Sequence, residues 1–187
     1  MTSIIKVDQI QTAAGGVPTT QGLGMLGGIV SVNQALNQTR STLVNVANGF
    51  VDVTGLSVTV TPASANSKFL VFMRVFGEGQ ADSHSISIAL FRGSTNINAG
   101  DATSIAVQSV IATAGSDYYD NDAGSTPQVW NATTLDSPST TSSITYKARM
   151  VNQGGTNTFY LNGTINSAIA ASCERGSSEL IVLELNV

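Results

Sequence analysis

Charged side chains are scarce in this sequence of 187 residues: Asp, Glu, Lys and Arg make up 11% of it, while 42% is hydrophobic. The surface must therefore be covered mainly by Ser, Thr, Asn, Gln and Gly. Cations are the scarcer sign, because 8 Lys and Arg stand against 12 Asp and Glu, and no basic cluster occurs. A chain without such a cluster lacks the usual attraction to phosphate backbones, so we expect no nucleic-acid partner.

Cysteine and histidine each occur once, as Cys173 and His84. An intrachain disulfide is therefore impossible, and the fold must be stabilised by packing. We interpret Cys173 as a buried thiol, with an intersubunit partner as the alternative. One Cys and one His cannot complete a zinc shell within one chain, which leaves only an ion shared on a symmetry axis. No metal and no cofactor is predicted.

Long apolar runs and targeting signals are also missing. Residues Met1–Asp8 lack the basic start and apolar run of a secretory signal, so export by that route is not expected. The longest weakly polar stretch, Gly22–Val32, is Gly-rich and shorter than the ~20 apolar residues that cross a bilayer. We therefore expect no membrane insertion.

The sequence does contain a regular series of strand-like segments from Ser41 onward, separated by clusters of Gly, Asn, Asp, Ser and Pro. No segment shows helical periodicity over three turns. The pattern predicts an all-β, antiparallel jelly-roll sandwich with long loops at Gly77–His84, Gly115–Thr126 and Leu135–Ser142. The predicted strands are Thr42–Val46, Phe50–Thr61, Lys68–Phe76, Ser85–Arg92, Thr103–Ala112, Gln128–Trp130, Ser143–Asn152, Thr156–Ile165 and Glu179–Val187.

An N-terminal arm precedes this series. Ile5, Val7 and the offset Ile10 indicate one short strand that ends before a Gly-Gly turn. The glycines that follow leave it without a neighbour in the next twenty or so residues, so its pairing partners are expected on other chains. Residues 33–40 are polar and predict a short helix or a linker. We therefore divide the chain into an arm, 1–40, and a head domain, 41–187.

Two predicted strands are apolar on both faces. Phe69, Val71, Met73 and Val75 form one face of the strand at Lys68–Phe76, and Ile181, Leu183, Leu185 and Val187 form one face of the last strand. The opposite faces also require burial, either under a covering loop or, as we predict, against a neighbouring subunit. The predicted subunit-interface residues are Leu70, Phe72, Phe76, Leu180 and Val182. Arg74 and Glu184 lie on these second faces and are candidates to pair, within the chain or between chains.

Candidate catalytic groups are few. His84 follows Asp82 and Ser83, but adjacent residues rarely converge on one reaction centre, and no Gly-x-Ser-x-Gly elbow accompanies them. Glu78 and Asp82 form the nearest acidic pair, which keeps a glycan-processing enzyme as an alternative. We predict that the chain is not an enzyme.

The most distinctive loop holds Asp117, Tyr118, Tyr119 and Asp120. Its carboxylates do not follow the spacing of a calcium-binding loop. Its tyrosines could stack on a sugar or a partner protein, so the loop is a candidate receptor contact for a host surface glycan. The alternatives are a solvated turn or a calcium site. Trp130 is predicted in the core or an interface, and Asn162-Gly163 predicts a bulge or turn.

The opening Ile4-Ile5-Lys6-Val7-Asp8-Gln9-Ile10-Gln11, followed by Gly15-Gly16, resembles the arm at the start of many virion structural proteins of tailed phages. The resemblance is to fibre-like proteins of phages that infect cyanobacteria and marine bacteria. Ser177–Leu185 is similar to the closing strand of the small jelly-roll heads in that group. The resemblance implies a trimeric, tumour-necrosis-factor-like head and an arm that docks it on the particle, with Ile5, Val7 and Ile10 adding a strand to a partner sheet.

We therefore expect a virion protein of the short tail-fibre type, a homotrimer assembled in the host cytoplasm and exposed on the particle. Its expected partners are other virion proteins of the baseplate, tail or capsid, and a host surface glycan. The alternative is a capsid decoration or cement protein, because the sequence contains no long repetitive shaft.

Overall fold

The computed structural model describes residues 28–45, 49–80, 86–100, 114–115, 126–151, 157–166 and 173–186. Every regular element in these ranges is a β-strand, and none of them contains a helix able to span a membrane. The strands are β1 (Ile29–Asn37), β2 (Ser41–Asn45), β3 (Phe50–Val60), β4 (Lys68–Gly79), β5 (Ser87–Arg92), β6 (Thr95–Asn96), β7 (Ala114–Gly115), β8 (Gln128–Asp136), β9 (Ile144–Val151), β10 (Asn157–Leu161) and β11 (Ser178–Leu185).

The strands form two antiparallel sheets. Sheet A has the order β1-β11-β4-β10-β2. Strand β8 also pairs with β4, along the side opposite β11 and β10. Sheet B has the order β3-β9-β5-β6, with β7 also paired to β5. The two sheets enclose one apolar core. The predicted all-β antiparallel sandwich is confirmed, and its arrangement is consistent with a jelly roll.

Strand β4 is the centre of sheet A. It pairs with β11 over residues 68–74, with β10 over 77–79, and with β8 along its other side over 69–77. Gly77 permits the approach of β10, because a Cβ there would overlap the Phe159 ring and the Tyr160 carbonyl oxygen. The strand thus extends three residues into the loop that the sequence predicted at Gly77–His84.

The core lies between the inner faces of the two sheets. Trp130 is buried there with its ring 5.2 Å from that of Phe159, which confirms the core alternative predicted for it. The fully buried Phe69 and Tyr146 bring the two sheets together with ring centroids 5.7 Å apart. The largest fully buried side chains are Tyr146, Phe69, Phe159, Leu56, Met73, Ile86, Ile88, Leu90, Met150, Leu161, Leu180 and Val71.

The segment that the sequence assigned to a short helix or linker, 33–40, is instead largely strand β1, which pairs with β11. The prediction was wrong because the polarity of β1 is inverted: Ser31 and Asn33 are half-buried, whereas Val32 and Leu36 are exposed. Residues 29–37 therefore belong to the sandwich. The remainder of the predicted arm, residues 1–27, lies outside the described residues.

Strand β8 runs to Asp136, six residues beyond the predicted end at Trp130. It includes Leu135 and Asp136, which the sequence assigned to a loop. The predicted strand at Thr103–Ala112 lies outside the described residues. The other predicted strands agree with the structure within a few residues.

A turn centred on Asn162 joins several strands of sheet A, which confirms the turn predicted from Asn162-Gly163. Asn162 has a φ of 59° and is almost fully buried. Its Nδ2 donates to the carbonyl oxygens of Asn37 (2.9 Å) and Thr39 (3.1 Å), and its Oδ1 accepts from Ser178 Oγ (2.7 Å). These bonds connect the ends of β1, β10 and β11.

A second polar cluster, the inter-sheet clamp, connects β8 of sheet A with β5 and β9 of sheet B. Asp136 accepts from Arg92 Nη1 at 2.7 Å and from Tyr146 Oη at 2.7 Å. Burial of the phenol, together with its hydrogen bond to Asp136, raises the pKa of Tyr146 well above its ordinary value. Tyr146 therefore remains a neutral donor over the whole physiological range.

Candidate assembly surface

The outward face of sheet A contains the second apolar face predicted on β4. The pleat directs alternate residues of β4 to opposite sides. Phe69, Val71, Met73 and Val75 are buried in the core. Leu70 is half-buried and Phe72 is 37% exposed on the outward side.

Strand register aligns four aliphatic side chains across sheet A. Val32 of β1 pairs with Leu183, Leu183 pairs with Leu70, and Leu70 pairs with Leu135 of β8. Directly opposed residues in antiparallel strands project on the same face, so these four form one row across four strands. The ends of this row are the most accessible, since Val32 is 63% and Leu135 is 56% exposed.

The next row places Ile181 beside Phe72, with Gln34 and Thr133 at its ends. We define the aliphatic face as these two rows together. Its apolar members are Val32, Leu70, Phe72, Leu135, Ile181 and Leu183.

Charged and polar side chains lie at both ends of the aliphatic face and form its rim, together with Leu36 in the third row and Ile29 beside Leu185 at the opposite end. In the third row, Arg74 Nε lies 3.2 Å from Glu179 Oε1, and Gln34 Nε2 donates to Glu179 Oε2 at 3.0 Å. Lys68 lies at the opposite end of the face, in register with Leu185. Arg74 and Glu184, the candidates to pair, do not pair within the chain, because Glu184 projects to the other side of β11 and is almost fully buried.

Two of the predicted interface residues, Leu180 and Val182, require correction. Both are fully buried in the core of their own chain. The sequence interpretation treated Glu184 as a mark of the outward side of β11. Its carboxylate is instead satisfied inside the fold, accepting from the Ala63 N–H at 2.7 Å and from Ser31 Oγ at 3.4 Å. The outward side of β11 is therefore the one with Ile181 and Leu183.

The other three predicted interface residues project outward. Leu70 and Phe72 belong to the aliphatic face, whereas Phe76 lies beyond the Arg74–Glu179 pair. Phe76 is half-buried, because the chain at Gly176 passes against its ring so closely that a Cβ at Gly176 would lie 2.5 Å from it. An intersubunit contact through these residues stays a prediction.

The carboxylate of Glu78 has a structural role. Oε1 accepts from the Thr126 N–H at 2.9 Å, and Oε2 accepts from the Ile165 N–H at 2.6 Å. Glu78 is almost fully buried, so its oxygen atoms hold two connecting segments against β4. Asp82, its proposed acidic partner, and His84 lie outside the described residues.

Several predicted site residues also lie outside the described residues and stay predictions. They are the anchor residues Ile5, Val7 and Ile10 and the receptor-contact residues Asp117, Tyr118, Tyr119 and Asp120. Cys173 is a half-buried free thiol. Within the described part of the chain, no group of three or more His, Cys, Asp or Glu side chains is arranged to hold a metal ion.

Sequence reasoning missed the ends of the aliphatic row because β1 and the second half of β8 were not identified as strands. A period of two was present in both segments. Val32 and Leu36 alternate with Ser31, Asn33 and Asn37 in β1. In β8, Val129 and Leu135 fall on the same outward phase, separated by Asn131 and Thr133. Small polar residues on the inward side of β1, and Asn131 and Thr133 on the outward side of β8, concealed this pattern.

No protein-family model matches the chain, and no curated protein matches it at a significant level. Among solved structures, the chain is similar to one described as "Structure of infectious bursal disease virus Gx strain", with 11% identity and a TM-score of 0.35. The match covers 84% of this chain but only 40% of that one. A similarity of this size does not indicate a function.

Proposed function

We propose that this chain is a non-enzymatic structural protein of a phage particle, of the short tail-fibre type, which functions as a homotrimer. The observation that carries the proposal is the aliphatic face. It exposes a row of apolar side chains that a chain acting alone would be expected to cover with polar groups. A surface of this kind is typical of a protein that functions by assembly.

The polar clusters of the described residues support the same interpretation. Glu78 is occupied by backbone N–H groups, and Asp136 is occupied by Arg92 and Tyr146. Catalytic acids and bases must face a site where a substrate can bind. These carboxylates instead complete hydrogen bonds that stabilise the sandwich.

The attachment to a phage particle is supported by the N-terminal resemblance. Residues 1–27 lead into β1 at Gly28, whose carbonyl oxygen accepts from the Asn186 N–H at 3.0 Å. The two ends of the described chain therefore meet at one end of sheet A. An arm that begins there would dock the head without interrupting the sandwich.

Location on the particle is the direct test. Antibodies against the purified protein would be used for immunogold electron microscopy of the phage that encodes the chain. Labelling at the tail or baseplate is expected. Labelling spread over the capsid shell would instead support a decoration protein, and particles without any label would contradict the proposal.

The homotrimer is tested separately by multi-angle light scattering of the purified full chain. The expected mass is three times the chain mass of 19.3 kDa. A monomeric mass at all accessible concentrations would contradict self-assembly in solution.

A further inference from the structure

We infer that the aliphatic face of sheet A is covered by a second copy of this chain, with the row Val32, Leu183, Leu70 and Leu135 at the centre of the contact. The inference rests on the proposed homotrimer and identifies the surface through which it forms. It replaces the interface residues Leu180 and Val182, which the core already buries.

The surface is broad and flat. Together with its rim, the aliphatic face covers four strands spaced ~4.8 Å apart over about eight residues, a projected area of roughly 500 Å² before side-chain relief is added. In a trimer this area is shared between two neighbours, so the contact must extend beyond it to reach the ~800 Å² that one partner contributes to a standard interface. The surface is also the flat side of a sheet, whereas small ligands are bound in concave sites that surround them. A broad, flat partner is therefore favoured over a small molecule.

The charge of the surface favours a second copy as that partner. The chain has a net charge of −4, yet the aliphatic face and its rim carry Lys68, Arg74 and one carboxylate, Glu179. Two copies that meet through this face therefore bring apolar side chains together. Most of their acidic side chains, which would repel each other, stay outside the contact. The exposed Arg74 and Glu179 also supply opposite charges that can pair between copies at the rim.

Trimer symmetry determines which halves of the face meet. A face that packed on the same face of one neighbour would give a closed dimer, whereas a ring of three needs two different patches in contact. If both patches lie on the aliphatic face, the β1–β11 half of one copy meets the β4–β8 half of the next. Val32 of one copy is consequently expected near Leu135 of its neighbour.

The first experiment introduces charge at the two ends of the row. Val32→Asp and Leu135→Asp would be combined in the full chain, because both side chains are more than half exposed in the single chain and a charge there is expected to leave the fold intact. Val44→Asp is the matched control, since Val44 is 57% exposed on an edge strand of the same sheet but outside the face. Light scattering over a concentration series would report the mass.

The expected result is a monomeric double variant, with association weakened at least 100-fold, while Val44→Asp retains the wild-type mass. Circular dichroism would verify that both variants keep the wild-type spectrum. Wild-type association of the well-folded double variant would overturn the inference and leave the proposed trimer standing. A monomeric wild type would refute the trimer itself, while immunogold labelling would still test the place of the chain on the particle.

The second experiment tests the contact directly by disulfide formation. Val32→Cys and Leu135→Cys would be introduced together with Cys173→Ser. Within one chain the two positions are three strand spacings apart, ~14 Å, which is too far for a disulfide. Oxidation is therefore expected to give covalent trimers from the double-cysteine chain and none from either single-cysteine chain.

Residues 1–27 of a neighbouring copy are the competing occupant. If they covered the face, charge at Val32 and Leu135 would also weaken association, but the two cysteines would not react with each other. A cysteine at Val32 that reacts instead with one introduced at Ile5 or Val7 would overturn the inference. Covalent trimers linked between positions 32 and 135 would support it.

Discussion

The outward faces of the two sheets differ in how they meet their surroundings. On sheet B, Asp52 forms ion pairs with Lys147 (2.9 Å) and Arg149 (2.8 Å), and the hydroxyls of Thr59 and Thr145 are hydrogen-bonded at 2.9 Å. On sheet A, the corresponding central positions are aliphatic. Three charged side chains therefore meet on the outward face of sheet B, whereas on sheet A Lys68, Arg74 and Glu179 lie outside the two aliphatic rows.

Sheet B also has outward aromatic rings, but they are covered by the chain itself. Phe91 is almost fully buried, with the Phe50 ring 5.0 Å away and the Arg149 guanidinium 4.8 Å from its ring centroid. Within the part of the chain that the structure describes, no comparable cover lies over Val32 or Leu135, both of which are more than half exposed. The exposed apolar area on sheet A is therefore a specific feature of that face and not a general property of this charge-poor surface.

The largest expected effect is the difference in stability between substitutions on the two sides of β11. Leu180→Asp places a charge in the core and should destabilise the fold by about 4 kcal/mol or more. Ile181→Asp places the same charge on the aliphatic face and should destabilise the single chain by only about 1–2 kcal/mol, while preventing association. Urea denaturation followed by circular dichroism, with light scattering of the folded protein, would measure both effects.

The neighbouring positions serve as controls for each other, because they are adjacent on β11 and their side chains project to opposite sides of sheet A. A stable Leu180→Asp protein with an unfolded Ile181→Asp protein would reverse the assignment of the two sides. That result would restore the sequence-based interface and refute the aliphatic face.

The sequence predicts much of the fold because most core residues alternate regularly. Phe69, Val71, Met73 and Val75 identify the inner side of β4 without any structure. A hydrophobic pattern with a period of two does not identify a strand or its inner side where the inward residues are polar. Ser31 and Asn33 conceal β1, and Glu184 makes the inner side of β11 resemble the outer one.

The candidate site could be predicted only in part. Leu70 and Phe72 were identified from β4 alone, since both sides of that strand are apolar. Val32 and Leu135 depend on the register of four strands that are far apart in sequence, and no local pattern encodes that register. The partners of Glu184 are equally non-local, because the Ala63 N–H that satisfies it precedes it by 121 residues.

Loss of the inter-sheet clamp should have the next largest effect on the free energy of unfolding, because the clamp connects the two sheets. The pKa of Tyr146 is raised in the folded chain, so its contribution is complete below the ordinary tyrosine pKa near 10. Above that pH the unfolded chain loses its proton first, and stability falls by up to about 1.4 kcal/mol per pH unit. Urea denaturation of wild type and Tyr146→Phe at pH 9, 10 and 11 would measure this decline.

Tyr146→Phe removes the titrating group. The other tyrosines and the lysines titrate in both proteins, so their effect cancels in the difference between wild type and variant. The stability advantage of the wild type, expected at about 1 kcal/mol at pH 9, should shrink as the pH rises. An advantage that stayed constant to pH 11 would contradict a raised pKa.

A smaller effect is expected on the outward face of sheet B. Arg149→Ala removes the pair with Asp52 and the contact of its guanidinium with the Phe50 and Phe91 rings. The expected loss is about 0.5–1 kcal/mol of unfolding free energy, without a change in the associated mass. Loss of association in Arg149→Ala would contradict the contrast between the two faces, because it would assign an assembly role to the outward face of sheet B.

The smallest expected effect concerns the rim of the aliphatic face. The Arg74–Glu179 pair is partly exposed, so Arg74→Gln should change the stability of the single chain by no more than about 0.5 kcal/mol. If the rim charges pair between copies, the same change should weaken association a few-fold and make it less sensitive to salt. Lys147→Gln is the matched control, since Lys147 forms a comparable surface pair with Asp52 on sheet B. Light scattering in low and high salt would distinguish the two variants. Equal association of both at every salt concentration would place the rim charges outside the contact and confine it to the aliphatic rows.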